Sequence, residues 1–482
     1  MKNVNYYGFF IIYGTLFLLI LNKVMAVPIT CDEVPATLFY ARFSFWEIMM
    51  YPDNIPNNHI LNTLLTKCCI IFFGKEQWAV RLPNLLSFFI FGFAVFNILR
   101  HTLKNDSWYF LPAALLFVNP YLLDFFGLCR GYGLSSALLT LSLSYFISGF
   151  RLSKDQQIWL ALALSVAASY ANFTLLVFWA GATLLTWFYF LQKTGVGFSK
   201  LVKPTLLIAL ISILYLALIA VPIYKIHSTD ELKYWSSQGF YQETIGSLIY
   251  YWRYDSRLLS TISTSVWASV VFITLSINSF TILYNLRRAK FKLSALRNPV
   301  FVTTAMLFLT VGVNFIQTTL LKTPNLNGRT ALFFYPLFSA ALISCLSLIP
   351  PPATKVAKLL PVILGIVCAV NLASRTRLKS VKEWAYDQDN LEVINFLKDK
   401  STDKPVSLKT SWFFNPSFEF YASTGKAPWI KLYPYDKTID INTDAAYYYI
   451  FAEDYKLLEP RFEIAYKFSD DRWLLKQKSH IR

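Results

Sequence analysis

The stretch Thr30-Cys31-Asp32-Glu33 places two adjacent carboxylates directly after the first hydrophobic run of the chain. That run, residues 6–27, is apolar except for Asn22 and Lys23 near its end. At about 1.5 Å of rise per residue, a helix of this length crosses a hydrocarbon core about 30 Å thick. The carboxylates then emerge at a membrane edge, where a charged group is costly unless it is paired or has a function. They also suit the first turn of a following helix, so the stretch alone leaves a functional and a capping interpretation open.

The composition is that of a polytopic membrane protein. Of 482 residues, 55% are hydrophobic and only 15% are charged, whereas soluble chains carry about 25% charged residues. The formal net charge of +17 comes from lysines and arginines that lie between apolar runs, as membrane topology requires. The sequence has no basic stripe with interleaved aromatic residues, which argues against nucleic acid as a partner. The six cysteines form neither a metal-spaced cluster nor a disulfide framework.

About eleven apolar segments are predicted to span the membrane as helices. They cover residues 6–27, 78–99, 108–123, 132–150, 158–171, 174–191, 201–224, 262–286, 300–321, 330–349 and 356–373. Two polar stretches between them, residues 28–78 and 225–261, are predicted to be external loops. The first loop contains a run of turn-forming residues at 51–59, between interfacial helices predicted at 36–50 and 60–73.

The distribution of cations predicts the orientation of the chain. Alternate loops carry Arg100, Lys104, Arg151, Lys154, Lys193, Lys200, Lys203, Arg287, Arg288, Lys290, Lys292, Arg297, Lys355 and Lys358. By the positive-inside rule these loops are cytoplasmic. The N-terminus is then inside, whereas Asp32, Glu33 and the tail after Arg375 are outside. We expect an integral, multi-pass protein of a prokaryotic plasma (inner) membrane.

The last hundred residues are less hydrophobic and contain a different pattern. The predicted elements are a helix at 389–397, strands at 405–412 and 445–451, a helix opening at Asn415-Pro416, and a hairpin at 462–468 and 472–476. We therefore predict residues 1–375 as an all-α transmembrane domain and residues 380–482 as a small external α/β domain. Packing or contact with an acceptor is the expected role of the second domain.

Polar residues predicted at the outer face form a candidate site. They are Asp32, Glu33, His59, Asn62, Arg81, Asp124, Arg130 and Arg329. Three arginines and a histidine accompany the carboxylates in this set, which suits a reaction whose leaving group is an anion such as a phosphate. One carboxylate then suffices as a base toward an acceptor hydroxyl. Asp32 and Glu33 also carry oxygen ligands suited to a divalent cation, so metal dependence stays open.

Each of these residues also has a simpler explanation. Arg81, at the start of the second span, is best explained as an anchor among lipid headgroups. Arg130 and Arg329 lie at the interface, where long cationic side chains snorkel. His59 on a polar turn is equally an ordinary solvated histidine. Asp124 is placed to pair only with Arg130, about two helical turns on.

The order of motifs in the first part of the chain resembles a known family. An acidic pair after the first span is followed by a histidine turn, His59-Ile60-Leu61, and by the run from Phe73 to Pro83, FGKEQWAVRLP. This order is similar to that of the protein mannosyltransferase and aminoarabinose transferase group. The group belongs to the GT-C class of glycosyltransferases, which depend on polyprenyl-phosphate sugars. The resemblance is closest over residues 1–190, extends to about residue 350 and does not include the tail.

Later motifs extend this resemblance and imply roles for the site. Asn119-Pro120, Asp124, Cys129-Arg130-Gly131-Tyr132, and Arg329 followed by Pro336 are similar to segments of the same group. The resemblance implies a GT-C fold with Asp32 as the base and Glu33 as the acid that places the acceptor. It also implies a substrate-binding set made of His59, Asn62, Asp124, Arg130, Tyr132 and Arg329. The external loop at 225–261 lies where the family has a mobile loop over the donor.

The expected function is inverting transfer of a sugar from a polyprenyl-phosphate donor to an acceptor with a free hydroxyl, at the outer face of the bilayer. The acceptor is a protein, a lipid or a glycan. The alternative is a transporter or flippase of a lipid-linked saccharide precursor. Transporters typically place charged sites near the membrane midplane, in related halves. This chain has its clearest polar cluster at one interface and shows no evident internal repeat, which favours the enzyme.

Overall fold

The structure is a computed structural model that describes residues 2–103, 109–194, 198–228, 239–348, 355–401, 404–440 and 442–478. Its helices are α1 (Lys2–Ala26), α2 (Phe45–Met49), α3 (Ile60–Phe73), α4 (Gln77–Thr102), α5 (Phe110–Leu115), α6 (Pro120–Phe126), α7 (Gly131–Leu152), α8 (Asp155–Ala171), α9 (Leu176–Thr194), α10 (Phe198–His227), α11 (Ser247–Arg253), α12 (Arg257–Ser260), α13 (Thr264–Arg288), α14 (Pro299–Leu321), α15 (Phe334–Leu346), α16 (Lys355–Arg375), α17 (Asn390–Lys398), α18 (Asn415–Ser423) and α19 (Tyr455–Leu458). Its strands are β1 (Val406–Thr410), β2 (Ile430–Leu432), β3 (Tyr447–Phe451), β4 (Phe462–Ser469) and β5 (Arg472–Gln477). Lys104 and residues 229–238 of the predicted loop 225–261 lie outside the described ranges.

The prediction of a polytopic α-helical membrane protein with a small C-terminal sheet is confirmed. Within the described ranges, seven helices are long and apolar enough to cross a bilayer, namely α1, α4, α7, α9, α10, α13 and α14. Shorter apolar helices accompany them, including α15 and most of α16. Helix α8 has 17 residues. These helices match the predicted spans to within a few residues, with one exception.

The exception is the predicted span at 108–123, which is two short helices, α5 and α6, instead of one. Asn119 has an extended backbone (φ −144°), and its side-chain oxygen accepts the N–H of Leu122 at 2.9 Å. Pro120 follows at the first helical position, where its missing N–H costs nothing. The Asn-Pro pair therefore starts a new helix and interrupts the span.

The first loop also differs in part from the prediction. Helix α3 covers the predicted residues 60–73. The other predicted helix, at 36–50, is instead a π turn, a 3₁₀ turn and then the short α2. Ser44 restarts the helix there, since its hydroxyl accepts the N–H of Glu47 and the Glu47 carboxylate accepts the N–H of Ser44 at 2.8 Å. Such a capping box defines a new helix start within the apolar pattern.

The C-terminal part forms one five-stranded sheet with the order β2-β1-β3-β5-β4. Strands β2, β1 and β3 are parallel, and the β4–β5 hairpin pairs antiparallel to β3. The predicted strands and hairpin are present, whereas the short β2 was not predicted. Three residues are too few to produce a recognisable alternation of apolar and polar positions.

The sheet packs onto the loop that follows α1. Ile29 shares a buried core with residues of α17, α18 and β1. Its N–H donates to the hydroxyl of Tyr421 at 2.9 Å, and its carbonyl accepts the hydroxyl of Ser417 at 2.6 Å. Tyr421 also donates to Gln77 at the start of α4 (2.7 Å). The C-terminal part thus fixes the position of the acidic pair, which begins three residues after Ile29.

Candidate active site

The acidic pair lies on a single 3₁₀ turn, Cys31–Glu33, which begins after an extended Thr30. The side chain of Glu33 turns back toward Thr30 and accepts its N–H at 2.9 Å and its hydroxyl at 3.1 Å. This bonding buries Glu33 completely, whereas Asp32 keeps 24% of its side chain exposed. The two adjacent carboxylates therefore lie in different environments.

Glu33 is held in a fully paired buried ion pair. Arg81 donates to both of its oxygens, from Nε at 2.8 Å and from Nη2 at 2.7 Å. The N–H of Cys129 donates to it at 2.6 Å. Burial alone would raise the pKa of Glu33, but the guanidinium and the N–H donors together lower it below its ordinary value. With both oxygens paired and no exposed surface, Glu33 is a structural carboxylate, and its expected contact with the acceptor is not supported by this geometry.

Arg81 corrects another expectation. Its side chain is 0% exposed and donates to the carbonyls of Val24, Val27 and Pro28 at 2.7–3.0 Å, in addition to Glu33. An arginine that uses all of its donors inside the protein is not an anchor among lipid headgroups. It joins the end of α1, the acidic turn and α4 in one network.

Asp32 faces two guanidinium groups. Its carboxylate lies 3.1 Å from Arg329 and 3.7 Å from Arg130. Arg130 is 3% exposed and also donates to the backbone carbonyl of Asp32 at 2.7 Å and to the side chain of Asn57. Its Nε is buried and finds no acceptor among the described residues. A partly exposed carboxylate with two cationic neighbours is the centre of the candidate site.

Arg329 is supported by residues that the sequence analysis did not include. Glu383 lies 3.4 Å from its guanidinium, and the ring of Trp384 lies 5.2 Å from it. Glu383 in turn accepts the hydroxyl of Tyr121 at 2.8 Å. The signal in the sequence is a cluster of charged and aromatic residues, Lys382-Glu383-Trp384, which lies seven residues after the end of α16.

His59 lies beside the two arginines and is mostly buried, with part of the residue still exposed. Its ring contacts Tyr132 edge-on at 4.8 Å between centroids, and it bonds to the carbonyl of Ala171. Burial, followed by the charges of Arg130 and Arg329, lowers the pKa of His59 well below its ordinary value, so the imidazole is neutral. Its Nε2 finds no partner among the described residues. His59 is therefore not a solvated histidine, and it presents an uncharged nitrogen to the site.

Gly131 makes this arrangement of His59 possible. A Cβ atom at this position would lie 2.2 Å from the carbonyl oxygen of Ala171 and 2.8 Å from the ring of His59. Tyr132 follows on α7 with 5% exposure, and its ring lies 5.9 Å from the guanidinium of Arg130. His59, Arg130 and Tyr132 are thus brought together, and Arg130 joins them to the acidic turn.

Asn62 and Asp124 are both buried, and their polar groups bond to other parts of the protein. Asn62 accepts the side-chain amide of Asn84 at 2.6 Å, and Asn84 accepts the N–H of Leu134 at 3.0 Å, so this pair joins α3, α4 and α7. Both oxygens of Asp124 are also paired within the protein, as described below. For these two residues the geometry indicates a supporting role instead of substrate contact.

Asp124 does not pair with Arg130. Its carboxylate forms a buried ion pair with Lys23 of α1. It also accepts the hydroxyl of Tyr254 at 2.6 Å and the N–H of Lys382 at 3.0 Å. The pairing with Lys23 accounts for the one cation in the first apolar run and ties α1 to α6.

The residues of the acidic turn do not fit a divalent cation. Glu33 has both oxygens committed to Arg81 and to backbone N–H groups. Asp32 faces Arg130 and Arg329, whose charges repel a cation. Within the described ranges, no group of three or more His, Cys, Asp or Glu side chains has metal-binding geometry. A cation held jointly by Asp32 and Glu33 is therefore not supported.

Fold and site together define a polytopic α-helical membrane protein with a charged site at one end of its helices. No family model matches the chain, and no curated protein matches its sequence. Among solved structures, it is similar to the crystal structure of ArnT from Cupriavidus metallidurans bound to undecaprenyl phosphate, with 11% identity, a TM-score of 0.49 and 98% coverage of both chains. The apo structure of the same protein matches with 12% identity, the same TM-score and the same coverage.

Proposed function

We propose that this protein is a membrane glycosyltransferase that moves a sugar from a polyprenyl-phosphate donor to an acceptor hydroxyl at the outer face of the membrane. The observation that carries this proposal is the pairing of one partly exposed carboxylate, Asp32, with two guanidinium groups, Arg130 and Arg329. A base and an anion-binding pair are then adjacent, as transfer from a phosphate leaving group requires.

The two arginines are suited to receive the phosphate of the donor. Arg130 has a buried Nε without an acceptor among the described residues, and an unmet donor of this kind favours an anionic ligand. Arg329 keeps 23% of its side chain exposed. When a phosphate takes up these donors, the electrostatic hold on Asp32 weakens, and its carboxylate becomes available to an acceptor.

The transfer itself uses Asp32 as the base. Its carboxylate takes the proton of the acceptor hydroxyl while the acceptor oxygen forms a bond to the anomeric carbon of the sugar. The bond from that carbon to the phosphate oxygen breaks, and its electron pair leaves with the polyprenyl phosphate, whose charge Arg130 and Arg329 balance. Because Glu33 has no free oxygen, Asp32 is the one carboxylate that serves the reaction. The transfer is a single displacement at the anomeric carbon, and a single displacement inverts the configuration of that carbon.

An apolar cavity next to the site suits the isoprenoid chain of the donor. It has a volume of about 640 Å³ and is lined by α11, α13, α14, α15 and α16. Helix α11 also bonds the Arg329 loop, since the N–H of Gly328 donates to the hydroxyl of Ser247 at 2.9 Å. Tyr335 lines the cavity and donates its hydroxyl to the carbonyl of Leu248. A lipid chain in the cavity would thus place its phosphate near Arg329.

The binding of donor phosphate tests this assignment. Arg130→Ala and Arg329→Ala should each weaken the binding of polyprenyl phosphate about ten- to a hundredfold, because a charged hydrogen bond contributes about 1.5–3 kcal/mol. Binding is measured on purified protein with the lipid phosphate itself as the probe. Arg377→Ala is the matched control, since Arg377 pairs with Asp255 at 2.9 Å outside the site. Unchanged affinity in both site variants would make these arginines structural.

A further inference from the structure

A second cavity lies in the C-terminal part of the chain, separate from the acidic turn. It has a volume of about 360 Å³. Its walls include Lys409, Thr410, Trp412, Tyr448, Glu453 and Asp454. These residues come from the end of β1, from β3 and from the segment that follows β3. We refer to this cavity as the sheet crevice.

The sheet crevice lies at the position in a parallel sheet where ligands typically bind. Strands β1 and β3 are parallel neighbours, with Lys409 opposite Tyr448 and Thr410 opposite Tyr449. After β1 the chain turns to one side, through α18 to β2, and after β3 it turns to the other side, through α19 to β4. The connections therefore diverge at the carboxyl ends of β1 and β3, and ligands of open α/β sheets bind in the crevice at such a switch point.

The wall of the sheet crevice includes a buried hydroxyl group for which the described residues provide no hydrogen-bond partner. Thr410 is 3% exposed, and its hydroxyl finds no hydrogen-bond partner among the described residues. Buried hydroxyl groups are normally hydrogen-bonded, because leaving one unpaired costs free energy. Lys409, in contrast, is already held by Asp436 and by the carbonyl of Pro434, both at 2.6 Å. The unmet group at Thr410 is a neutral hydroxyl.

The rim of the crevice combines an aromatic face with carboxylates. Trp412 is 41% exposed, and its ring lies against Phe413 with 3.8 Å between centroids. Glu453 and Asp454, which follow β3, also line the crevice. An exposed indole face offers apolar contact area, whereas carboxylate oxygens accept hydrogen bonds from hydroxyl or amino groups. A ligand with an apolar face and hydroxyl edges suits both the indole and the carboxylates. The lining carries four carboxylates and two lysines, and one of the lysines, Lys409, is already paired with Asp436, so the balance of charge does not favour an anion.

We propose that the sheet crevice binds a saccharide, with one ring against Trp412 and hydroxyl groups bonded to Thr410 and to the carboxylates of Glu453 and Asp454. This binding does not depend on the proposed transferase activity. The further step, that the bound saccharide is part of the acceptor, rests on that activity. Two contacts link the sites. Phe413 of the crevice packs against Tyr386, with 5.4 Å between ring centroids. Asp387, which follows Tyr386 in the chain, accepts the N–H of Cys31 in the acidic turn at 3.0 Å.

Direct binding of sugars to the full-length protein tests the proposal. The protein is kept in a detergent without a sugar headgroup, and the probes are gluco-, manno- and galacto-configured disaccharides, each with hydroxyl, amino or acetamido groups at C2. Saturation-transfer NMR and calorimetry should detect binding of at least one probe. Trp412→Ala should weaken it at least about tenfold. Thr410→Val, which keeps the shape and removes an unpaired buried hydroxyl, should weaken it about three- to tenfold and should not lower thermal stability.

Two control variants separate the possible outcomes. Trp46→Ala removes another exposed indole, 65% exposed on α2, and should leave sugar binding unchanged. Asp32→Asn should abolish transfer under the proposed function but leave binding in the sheet crevice unchanged. Binding that is lost in Asp32→Asn and kept in Trp412→Ala and Thr410→Val would overturn the inference. The absence of binding for every probe at concentrations up to about 10 mM would also overturn the inference. A dissociation constant above that concentration is too weak for a specific site.

Discussion

At the scale of single residues, the acidic turn shows how environment divides two neighbouring carboxylates. Glu33 has a bidentate arginine, two N–H donors and no exposed surface. Asp32, one residue earlier, meets its guanidinium partners at a partly exposed edge. A buried, fully bonded carboxylate cannot accept a proton without breaking its network, whereas the exposed one can. Of the two carboxylates, Asp32 is therefore the one that suits the proposed role of base.

His59 gives a prediction about pH. Its folded-state pKa is lowered, so below about pH 6.5 the unfolded chain binds more protons than the folded one, and the free energy of unfolding falls as the pH is lowered. The loss is at most about 1.4 kcal/mol per pH unit for one group. In His59→Gln, the dependence of the unfolding temperature on pH between about 7.5 and 5 should be flatter than in the parent protein. His227→Gln, an exposed position on α10, should keep the parent slope. An unchanged slope in His59→Gln would mean that His59 does not titrate as described.

At the scale of elements, α1 is tied to the site through a buried cation. Lys23 is 1% exposed and pairs with Asp124 of α6, which also holds Tyr254 and the backbone of Lys382. One carboxylate thereby joins α1, α6, the residues after α11 and the segment after α16. Those elements carry the acidic turn and the partners of Arg329, so this ion pair supports the geometry of the site.

Removing the charge of Asp124 should therefore destabilise the protein. In Asp124→Asn, Lys23 stays buried without an anion, at a cost of about 3–5 kcal/mol. Thermal unfolding of the purified protein measures the effect. Asp155→Asn is the matched control, because its pair with Lys193 is about 40% exposed and contributes about 0–1 kcal/mol. The combination with Lys23→Met should recover part of the stability. If Asp124→Asn unfolds at the parent temperature, the charge of this pair does not stabilise the fold.

The elements were predictable from the sequence to a greater extent than the pairs between them. Apolar runs, caps and prolines are local signals, and they predicted α3, α4 and the β4–β5 hairpin to within a few residues. The partner of Glu33 is 48 positions away in Arg81, and Glu383 lies 54 positions from Arg329. Such pairs depend on how helices pack. No local sequence pattern therefore distinguishes Arg81 from a headgroup anchor, or Glu383 from an ordinary residue of the tail.

At the scale of the whole molecule, the cation-rich loops and the acidic turn lie at opposite ends of the helices. Arg151 donates to the carbonyl of His101, and Arg297 donates to Ser153 at 3.1 Å and to Gln192 at 3.3 Å. These contacts bring the cation-rich loops after α4, α7, α9 and α13 together. The acidic turn and its partners lie at the opposite ends of those helices. This arrangement agrees with the alternation on which the orientation was predicted.

The predicted orientation has a direct test. The cation-rich end should be cytoplasmic and the C-terminal sheet external. A fluorescent reporter that folds only in the cytoplasm should be dark when fused after the C-terminal residue, whereas a phosphatase that is active only outside should be active there. The same two reporters fused after Arg288, in a cation-rich loop, should give the reverse result. A bright C-terminal fusion would place Asp32 in the cytoplasm and contradict the proposed outer-face reaction.

The most direct test of the central claim is the single-turnover transfer rate of Asp32→Asn, measured beside donor binding on the same preparation. A positioned base typically increases the reaction rate about 10²–10⁴-fold. Asparagine keeps the shape of the side chain and removes the basic oxygen. We expect the variant to fold and bind the polyprenyl-phosphate donor, yet to transfer sugar at least about a hundredfold more slowly. Asp255→Asn, which removes another arginine-paired carboxylate outside the site, should transfer at the parent rate. Near-normal transfer by Asp32→Asn would contradict its role as the base.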